Sequence, residues 1–507
     1  MNYPIWTPPI VGGGLLIAIV AILHVFISHF AVGGGLFLAV WEGRARKRGD
    51  AVALDYLRRH SFFFMLVSLV LGAITGVGIW FVIQLIQPTG TSALIHNYVW
   101  GWAIEWVFFI VEIVAAILYY LTWKTLDGRR HLLLAWIYFA AAFLSLVVIN
   151  GIITFMLTPG RWIEKPAFWV GFFNPTYFPS LVFRTGVCIG LAGIYAMLTL
   201  VRQKDEAFRL RAVRSAGGWI IAGFLLMAVS TPWYVASIPA EAQTALAGQW
   251  PELDLWMMRG MLCTAGVVLI SLLFAVARPK LMSMGVAVAL MLLGVGHFAA
   301  FEMIRELIRK PYVVAGHIYS NSLYVDEVET AREKGLLEYA RWVDRGSMDT
   351  PVARGRQVYD LACAACHTLD GYRSIDSVMA GYDADRLRKL FVGMDDMRWQ
   401  MPPFPGNERD ADDLVAFLAP RMSAAPEATT GEEVFEKRCF ACHDLAGEFR
   451  PLAASLEGMG TEEMDEYIGI FEMDDSLSMP AFGGTEEERR LLLEWIHQEV
   501  AVQGGDS

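Results

Sequence analysis

Charge is scarce in this chain of 507 residues: Asp, Glu, Lys and Arg make up 18% of it, against 55% apolar residues. That ratio excludes an ordinary soluble globular protein and points to a polypeptide largely solvated by lipid. Cysteine is scarcer still, six in all. Cys188 and Cys263 fall inside long apolar runs, so no disulfide framework is indicated. A basic start is missing ahead of the first apolar run. That run is also too long for a cleaved signal peptide, so it is expected to remain as a signal-anchor. Positive charge is short in the C-terminal part: residues 313–507 hold 18 Lys+Arg against 38 Asp+Glu, a net charge of −20. Such a surface speaks against nucleic acid as a partner. The remainder is left at +9, so a basic, apolar front is joined to an acidic, soluble back, and the length calls for more than one domain.

The other four cysteines stand in two matching motifs. Cys363-Ala364-Ala365-Cys366-His367 reads C-x-x-C-H, and Cys439-Phe440-Ala441-Cys442-His443 repeats it. This is the attachment signature of a c-type haem: two thiols add to the two porphyrin vinyl groups, and the adjoining imidazole lies under the iron. A zinc site would need further ligands at the usual spacing, and the sequence supplies none. Sixth ligands are proposed at Met401, in Trp399-Gln400-Met401-Pro402-Pro403-Phe404, and Met479, in Leu477-Ser478-Met479-Pro480-Ala481-Phe482. Each Met-Pro follows its cysteines by roughly 40 residues. A thioether opposite a histidine favours ferrous iron and raises the potential. The plainer alternative is that both methionines only pack, like Met394, Met397 and Met473.

The front half shows eight apolar runs near the bilayer span, at about 14–41, 61–87, 98–124, 131–157, 178–201, 215–237, 256–277 and 281–308. The loops after the first, third, fifth and seventh runs are rich in Arg and Lys, from Arg44-Ala45-Arg46-Lys47-Arg48 to Arg278 and Lys280. The alternate loops hold only Arg161 and Lys165. The positive-inside rule then puts the N-terminus and everything after residue 308 outside the cytoplasm. Haem attachment in bacteria takes place on that same side. The expected location is the bacterial inner membrane, with the haem c part facing the periplasm. Aromatic residues at the run ends, such as Trp6, Trp41, Trp100, Trp162 and Trp233, suit an interfacial belt.

Ionisable groups inside apolar runs cost several kcal/mol unless paired or ligated, so each is a functional candidate. The first run carries His24 and His29, the third Glu105 and Glu112, seven apart and so on one face. Arg184 opens the fifth, Arg259 and Met261 the seventh. The eighth carries His297, Glu302, Arg305, Glu306 and Arg309. In the expected topology Glu105, Arg184, Met261 and Glu306 fall near the outer surface, and His24 about 15 Å deep. For any one of them the bland reading is a polar contact joining helices.

These residues resemble subunit I of cytochrome bd quinol oxidase over 1–312. His24-Val25-Phe26-Ile27 through Gly33 to Glu42 looks like the family's first helix, whose histidine ligates the oxygen-reducing haem. Gly72-Ala73-Ile74-Thr75-Gly76 is similar to its G-x-x-T-G, and Glu105 and Glu112 to its two helix-3 glutamates, spaced one residue further apart there. Met156-Leu157-Thr158-Pro159 resembles M-Q-x-P. Trp256-Met257-Met258-Arg259-Gly260-Met261 resembles W-x-F-R-x-M, whose methionine ligates the low-spin haem b. Glu306-Leu307-Ile308-Arg309-Lys310-Pro311-Tyr312 resembles E-x-G-R-Q-P-W, whose glutamate ligates the high-spin haem b. The resemblance implies one to three haem b or d-type groups, quinone, and a second membrane subunit. It also has departures. Arg184 aligns with the low-spin haem's histidine; a guanidinium cannot ligate iron, though it can bind a propionate. The loop 238–255, part of the family's quinol site, is short and has no lysine, and eight runs stand where the family has nine helices.

Beyond Pro311, residues 321–345 read as an amphipathic linker helix with Leu323, Val328, Leu336, Leu337, Tyr339 and Trp342 on its apolar side. A repeat of about 76 residues follows: Gly355-Arg356-Gln357-Val358-Tyr359 precedes the first haem motif and Gly431-Glu432-Glu433-Val434-Phe435 the second. This resembles two tandem class I cytochrome c domains. The expected fold is all-α, a polytopic membrane helix bundle (1–312), a linker helix (313–347) and two cytochrome c-type helical domains (348–424 and 427–503). The leading functional expectation is electron transfer between the membrane quinone pool and a periplasmic cytochrome or redox enzyme. A terminal oxygen reductase fed by cytochrome c, and a haem-free membrane anchor carrying a dihaem relay, stand as alternatives.

Overall fold

The computed structural model describes residues 4–504 except 248–249, 347, 397–399, 423–427, 441, 446–449 and 474–481. The described chain is helical nearly throughout, as expected from the apolar runs. Eight helices are long and apolar enough to cross a membrane: α1 (Gly12–Arg48), α2 (Ala51–Ile86), α3 (Val99–Leu121), α4 (Gly128–Phe155), α5 (Tyr177–Leu200), α6 (Glu206–Ser237), α7 (Pro251–Ala277) and α8 (Met284–Leu307). Three outrun their apolar windows, α1 at its end and α2 and α6 at their starts. A helix need not stop where hydrocarbon stops, since its hydrogen bonds continue in water and its polar residues then face solvent. Helices α2, α4, α6 and α8 each start behind a side-chain cap. Asp50 accepts from Ala53 N at 2.9 Å, Asp127 from Arg129 N at 3.0 Å, Asp205 from Phe208 N at 2.8 Å and Ser283 from Val286 N at 3.3 Å.

The chain divides into two compact units. The first comprises residues 17–84 and 90–309. Its centre is α5, the most enclosed helix, packed tightly on α6. A Cβ on Gly223 would lie 2.5 Å from the Gly186 carbonyl oxygen, so the two backbones meet where only hydrogen fits. Around this pair, Phe30, Phe37, Tyr195, Met197 and Ile220 form a buried core, while α3 and α7 turn large apolar side chains outward, as lipid-facing helices do.

The second unit comprises residues 1–16, 85–89 and 310–507. Its stretch from residue 310 onward starts with a two-stranded antiparallel hairpin, β1 (Tyr312–Val314) and β2 (Ile318–Tyr319). The expected single linker helix is not found. In its place are two short helices, α9 (Val328–Lys334) and α10 (Leu336–Tyr339), broken at Gly335, whose φ is +89°. The break is fixed from outside: the Leu336 N–H donates to the Asp410 carboxylate at 2.7 Å. The anticipated apolar side is nonetheless buried, with Leu323, Val328, Leu336 and Leu337 all under 9% exposed.

Two small helical domains follow. In the first, α11 (Pro351–Ala362) crosses α13 (Glu408–Leu418), with α12 (Ala384–Val392) beside them. In the second, α14 (Gly431–Arg438) crosses α16 (Glu486–Gly504), with α15 (Thr461–Met473) alongside. Both crossings need a glycine: a Cβ on Gly355 would be 1.8 Å from the Asp413 carbonyl oxygen, and one on Gly431 2.2 Å from that of Leu491.

Gly223→Leu should force α5 and α6 apart. Overpacking of this kind costs about 1–3 kcal/mol, and each kcal/mol lowers the melting temperature by about 2–4 °C in a domain of this size. Thermal unfolding of the detergent-solubilised protein checks this, and an unchanged transition would show the crossing to be loose.

Candidate functional site

Each C-x-x-C-H motif continues the turn that ends its helix. Cys363 N donates to Tyr359 O at 2.9 Å, and Cys366 N and His367 N both donate to Cys363 O at 3.0 Å. The second copy matches: Cys439 N to Phe435 O at 2.8 Å, Cys442 N to Cys439 O at 3.0 Å and His443 N to Cys439 O at 2.9 Å. Helical spacing thus gathers two thiols and an imidazole on one side. Burial pushes the thiols of Cys363 and Cys439 up to about 12. For Cys439 the nearby Arg386 guanidinium acts in the opposite direction.

The histidines are oriented by one repeated device. His367 Nδ1 lies 3.1 Å from Arg373 O, and His443 Nδ1 lies 3.1 Å from Arg450 O. A carbonyl only accepts, so Nδ1 carries the proton and Nε2 keeps its lone pair for iron. Arg373 and Arg450 reach that position by adopting φ of +49° and +45°, two of three non-glycine residues with positive φ among the described residues. In the first domain Tyr359 Oη also donates to His367 O at 2.8 Å; the second domain has Phe435 at the matching position. The donor set fits covalent haem in both domains. Met401 lies on the loop ahead of α13, three residues before the buried Phe404, and Met479 lies outside the described residues.

In the membrane unit, His24 Nδ1 is 3.2 Å from Thr75 Oγ1, which brings the first-helix histidine onto the Gly72–Gly76 segment of α2. Glu105 accepts from Ser145 Oγ at 3.0 Å, with Glu112 on the same face of α3, both half-buried. Glu306 pairs with Arg309, whose Nη1 lies 3.6 Å from Met156 Sδ, so two segments 153 residues apart meet. Glu302 and Arg305 pair at 2.7 Å on the same helix. Arg184, 3% exposed, donates from Nε to Ser180 Oγ at 3.2 Å and lies within electrostatic reach of Glu302 and Arg305. Three arginines therefore share two glutamates, and Arg309 Nε is buried without an acceptor among the described residues. A surplus of guanidinium suits an anionic group. Met261 stands apart: it is 63% exposed on α7, whereas Arg184 is enclosed. The described structure does not pair them.

Sequence reasoning named His29 and His297 without their partners, and it missed one further grouping. His29 is buried, with Nε2 3.4 Å from Arg184 Nη1. His297 Nδ1 lies 2.8 Å from Thr264 Oγ1, and its Nε2 is buried without a partner among the described residues. At the end of α1, Glu42 and His131 are both fully buried. Glu42 Oε1 accepts from Arg46 Nε at 2.6 Å and faces His131 Nδ1 at 2.8 Å, and Oε2 accepts from Tyr119 Oη at 2.8 Å. His131 Nε2 donates to Tyr119 O at 2.9 Å. A lone acid in an otherwise basic stretch, Glu42 ahead of Arg44, was the available signal.

Helical haem domains behind a multi-pass helix bundle define a class, a membrane-embedded multihaem cytochrome of electron transfer. The family described as cytochrome c oxidase, cbb3-type, subunit III matches residues 350–418 and again 426–496. These are class I cytochrome c domains, which carry covalent haem c. Among solved structures the membrane region is similar to the bd oxidase from Geobacillus thermodenitrificans, with a TM-score of 0.52 and 14% identity over 60% of this chain and 88% of that chain. At that identity the likeness is one of fold. A comparison with curated proteins returns no match.

Met401→Ala and Met479→Ala should each lower the potential of one haem c, since a thioether ligand favours ferrous iron. A redox titration that leaves both potentials in place would refute the assignment.

Proposed function

We propose that the chain is an electron conduit between the membrane quinone pool and a redox partner, a cytochrome or an enzyme, on the periplasmic side. The observation that carries this reading is the combination in one chain of a bd-like membrane fold with two haem c domains, which a self-contained quinol oxidase does not need. The division proposed is a membrane domain at 1–312, a linker at 313–347 and haem domains at 348–424 and 427–503. The basic loops support placing the haem domains outside the cytoplasm. A second membrane subunit is proposed from the bd-like fold alone.

When bound, the haem irons supply one-electron steps, and the protein supplies ligation, burial and geometry. His367 and His443 would hold the irons through Nε2, and Met401 and Met479 would be the second protein ligands. His24 and Glu306 are the proposed ligands of haem b or d-type groups in the membrane. Arg309 and Arg184 are proposed to hold propionates, and Glu105 and Glu112 are proposed as members of the same site. With Arg184 enclosed and Met261 facing outward, the low-spin haem pair is the least supported part of the family pattern.

That same departure favours a second reading, a terminal oxygen reductase fed by cytochrome c. It accounts for keeping His24 and Glu306 while losing the histidine at position 184. A pyridine haemochrome assay of the purified protein separates the readings. Haem b together with quinol-dependent reduction of haem c is expected for the conduit. Oxygen uptake with reduced cytochrome c supports the oxidase, and haem c alone leaves only an anchor. Glu306→Ala should lower the haem b content; full retention would show that Glu306 is not a ligand.

A further inference from the structure

His297, on α8, has no part in the function proposed above, and its two ring nitrogens stand in different situations. Nδ1 lies 2.8 Å from Thr264 Oγ1 on α7. The Thr264 hydroxyl spends its own proton on Gly260 O at 2.7 Å, so Oγ1 accepts and Nδ1 carries the hydrogen. Nε2 keeps its lone pair, buried and without a partner among the described residues. His24, proposed above as a haem ligand, is anchored in the same way: Nδ1 is 3.2 Å from Thr75 Oγ1, which donates to Leu71 O at 2.8 Å. His29 gives the contrast. Its Nε2 lies 3.4 Å from Arg184 Nη1, so its lone pair is already engaged.

Ten residues separate His297 from the end of α8 at Leu307, about 15 Å at the helical rise, which is mid-bilayer depth. A histidine that only joined α7 to α8 would need Nδ1 alone. A bare lone pair held in hydrocarbon is a standing cost unless something binds it. The surroundings also suit a ligand. Phe301 stacks on Phe183 with ring centroids 4.6 Å apart, so α8 meets α5 beside Arg184. His297 stands four residues before Phe301, on the same face and about 6 Å deeper. Phe224 of α6 packs on its ring at 5.2 Å. His60 has a similar anchor, Nδ1 at 2.9 Å from Thr199 Oγ1, and a bare Nε2. It is stacked on Tyr56, however, with the Phe37 and Phe63 rings 5.7 and 5.8 Å away, and only 1% exposed. That enclosure by rings makes it the natural control.

We propose that His297 is an axial ligand of a haem b in the membrane unit, binding iron through Nε2 in place of the histidine absent at position 184. Thr264 is its positioning residue: by accepting from Nδ1 it fixes the tautomer and the direction of the ring. The inference rests on the reading of the membrane unit as a carrier of haem b.

The test uses the full-length protein purified with its haems. Haem c is covalent, so the ratio of haem b to haem c in the haemochrome assay is internally referenced. His297→Gly is expected to lose one haem b, or to keep it with an altered ferric EPR signal. Added imidazole should restore the original signal, which a role confined to packing would not allow. Thr264→Val keeps the ring and frees Nδ1, so it should retain haem and shift the midpoint potential of one haem b wave while the haem c waves stay in place. It also carries the test should the glycine variant fail to accumulate. His60→Gln is expected to leave haem content and EPR signals unchanged. Full haem b with an unchanged EPR spectrum in His297→Gly would overturn the proposal, as would an unmoved set of waves in Thr264→Val. Equal haem loss in His60→Gln and His297→Gly would show a packing effect and overturn it too. If the wild-type protein holds no haem b, the reading of the membrane unit falls; if Glu306→Ala loses haem b and His297→Gly does not, only the role of His297 falls.

Discussion

Hydrocarbon offers no water to a carboxylate, an imidazole or a guanidinium, and this arranges the polar residues of the membrane unit. Removing one partner of a buried ion pair costs about 3–5 kcal/mol, because the other charge is stranded. Glu42 therefore has both oxygens engaged, by Arg46 on its own helix, by Tyr119 on α3 and by His131 at the start of α4. That single carboxylate sets the register of three helices. At the end where α8 stops, the balance is different. Arg184, Arg305 and Arg309 outnumber Glu302 and Glu306, and polar atoms of Glu302 and Arg309 stay buried without hydrogen bonds among the described residues. Around Glu42 the charges are paired, whereas at the end of α8 guanidiniums outnumber carboxylates among these residues.

The soluble unit meets a different constraint, which is size. Each haem domain has a helix crossing and a handful of buried apolar side chains, Val358, Leu387, Phe391, Leu414 and Leu418 in the first, Val434, Leu456, Met464, Leu492 and Ile496 in the second. Domains this small rarely stand without a staple, and covalent haem supplies one. The price is paid in backbone conformation at Arg373 and Arg450, where a positive φ turns a carbonyl onto the histidine. Both domains pay it at the same place, so the strained residue belongs to the site and not to the particular loop.

Much of this was legible in the residues. Apolar runs near the bilayer length gave eight helices because lipid permits few alternatives for a long apolar segment. The cysteine motifs were legible because attachment chemistry fixes their spacing. What stayed hidden depends on distance along the chain. Glu42 and His131 are 89 residues apart, and Arg309 and Met156 are 153 apart, so no local pattern announces either meeting. The linker was misjudged for a related reason. Residues 321–345 have helical periodicity, and their apolar side is indeed buried, but Gly335 and the Asp410 carboxylate break the helix from outside. Met261 matched a family motif by sequence, and its outward placement could be learned only from the packed bundle.

The acidic surface of the soluble unit can now be read with its pairings in view. Several cations there are committed internally: Arg354 to Asp413 at 2.6 Å, Arg388 to Asp412 at 2.7 Å, Arg421 to Asp376 at 2.7 Å, and Arg490 to Glu487 at 2.6 Å and Glu494 at 2.7 Å. These pairs cancel locally, so the field beyond the surface comes from the carboxylates left over. With 38 acidic against 18 basic residues in 313–507, that remainder is large and of one sign. Exposed pairs contribute little to stability, but an unbalanced field accelerates encounter with an oppositely charged partner. Its reach is about 10 Å at 0.1 M salt. An electron carrier that must find this surface, exchange one charge and leave gains from attraction that is strong in approach and weak at contact. Attraction of this surface for positive charge would weaken as ionic strength rises.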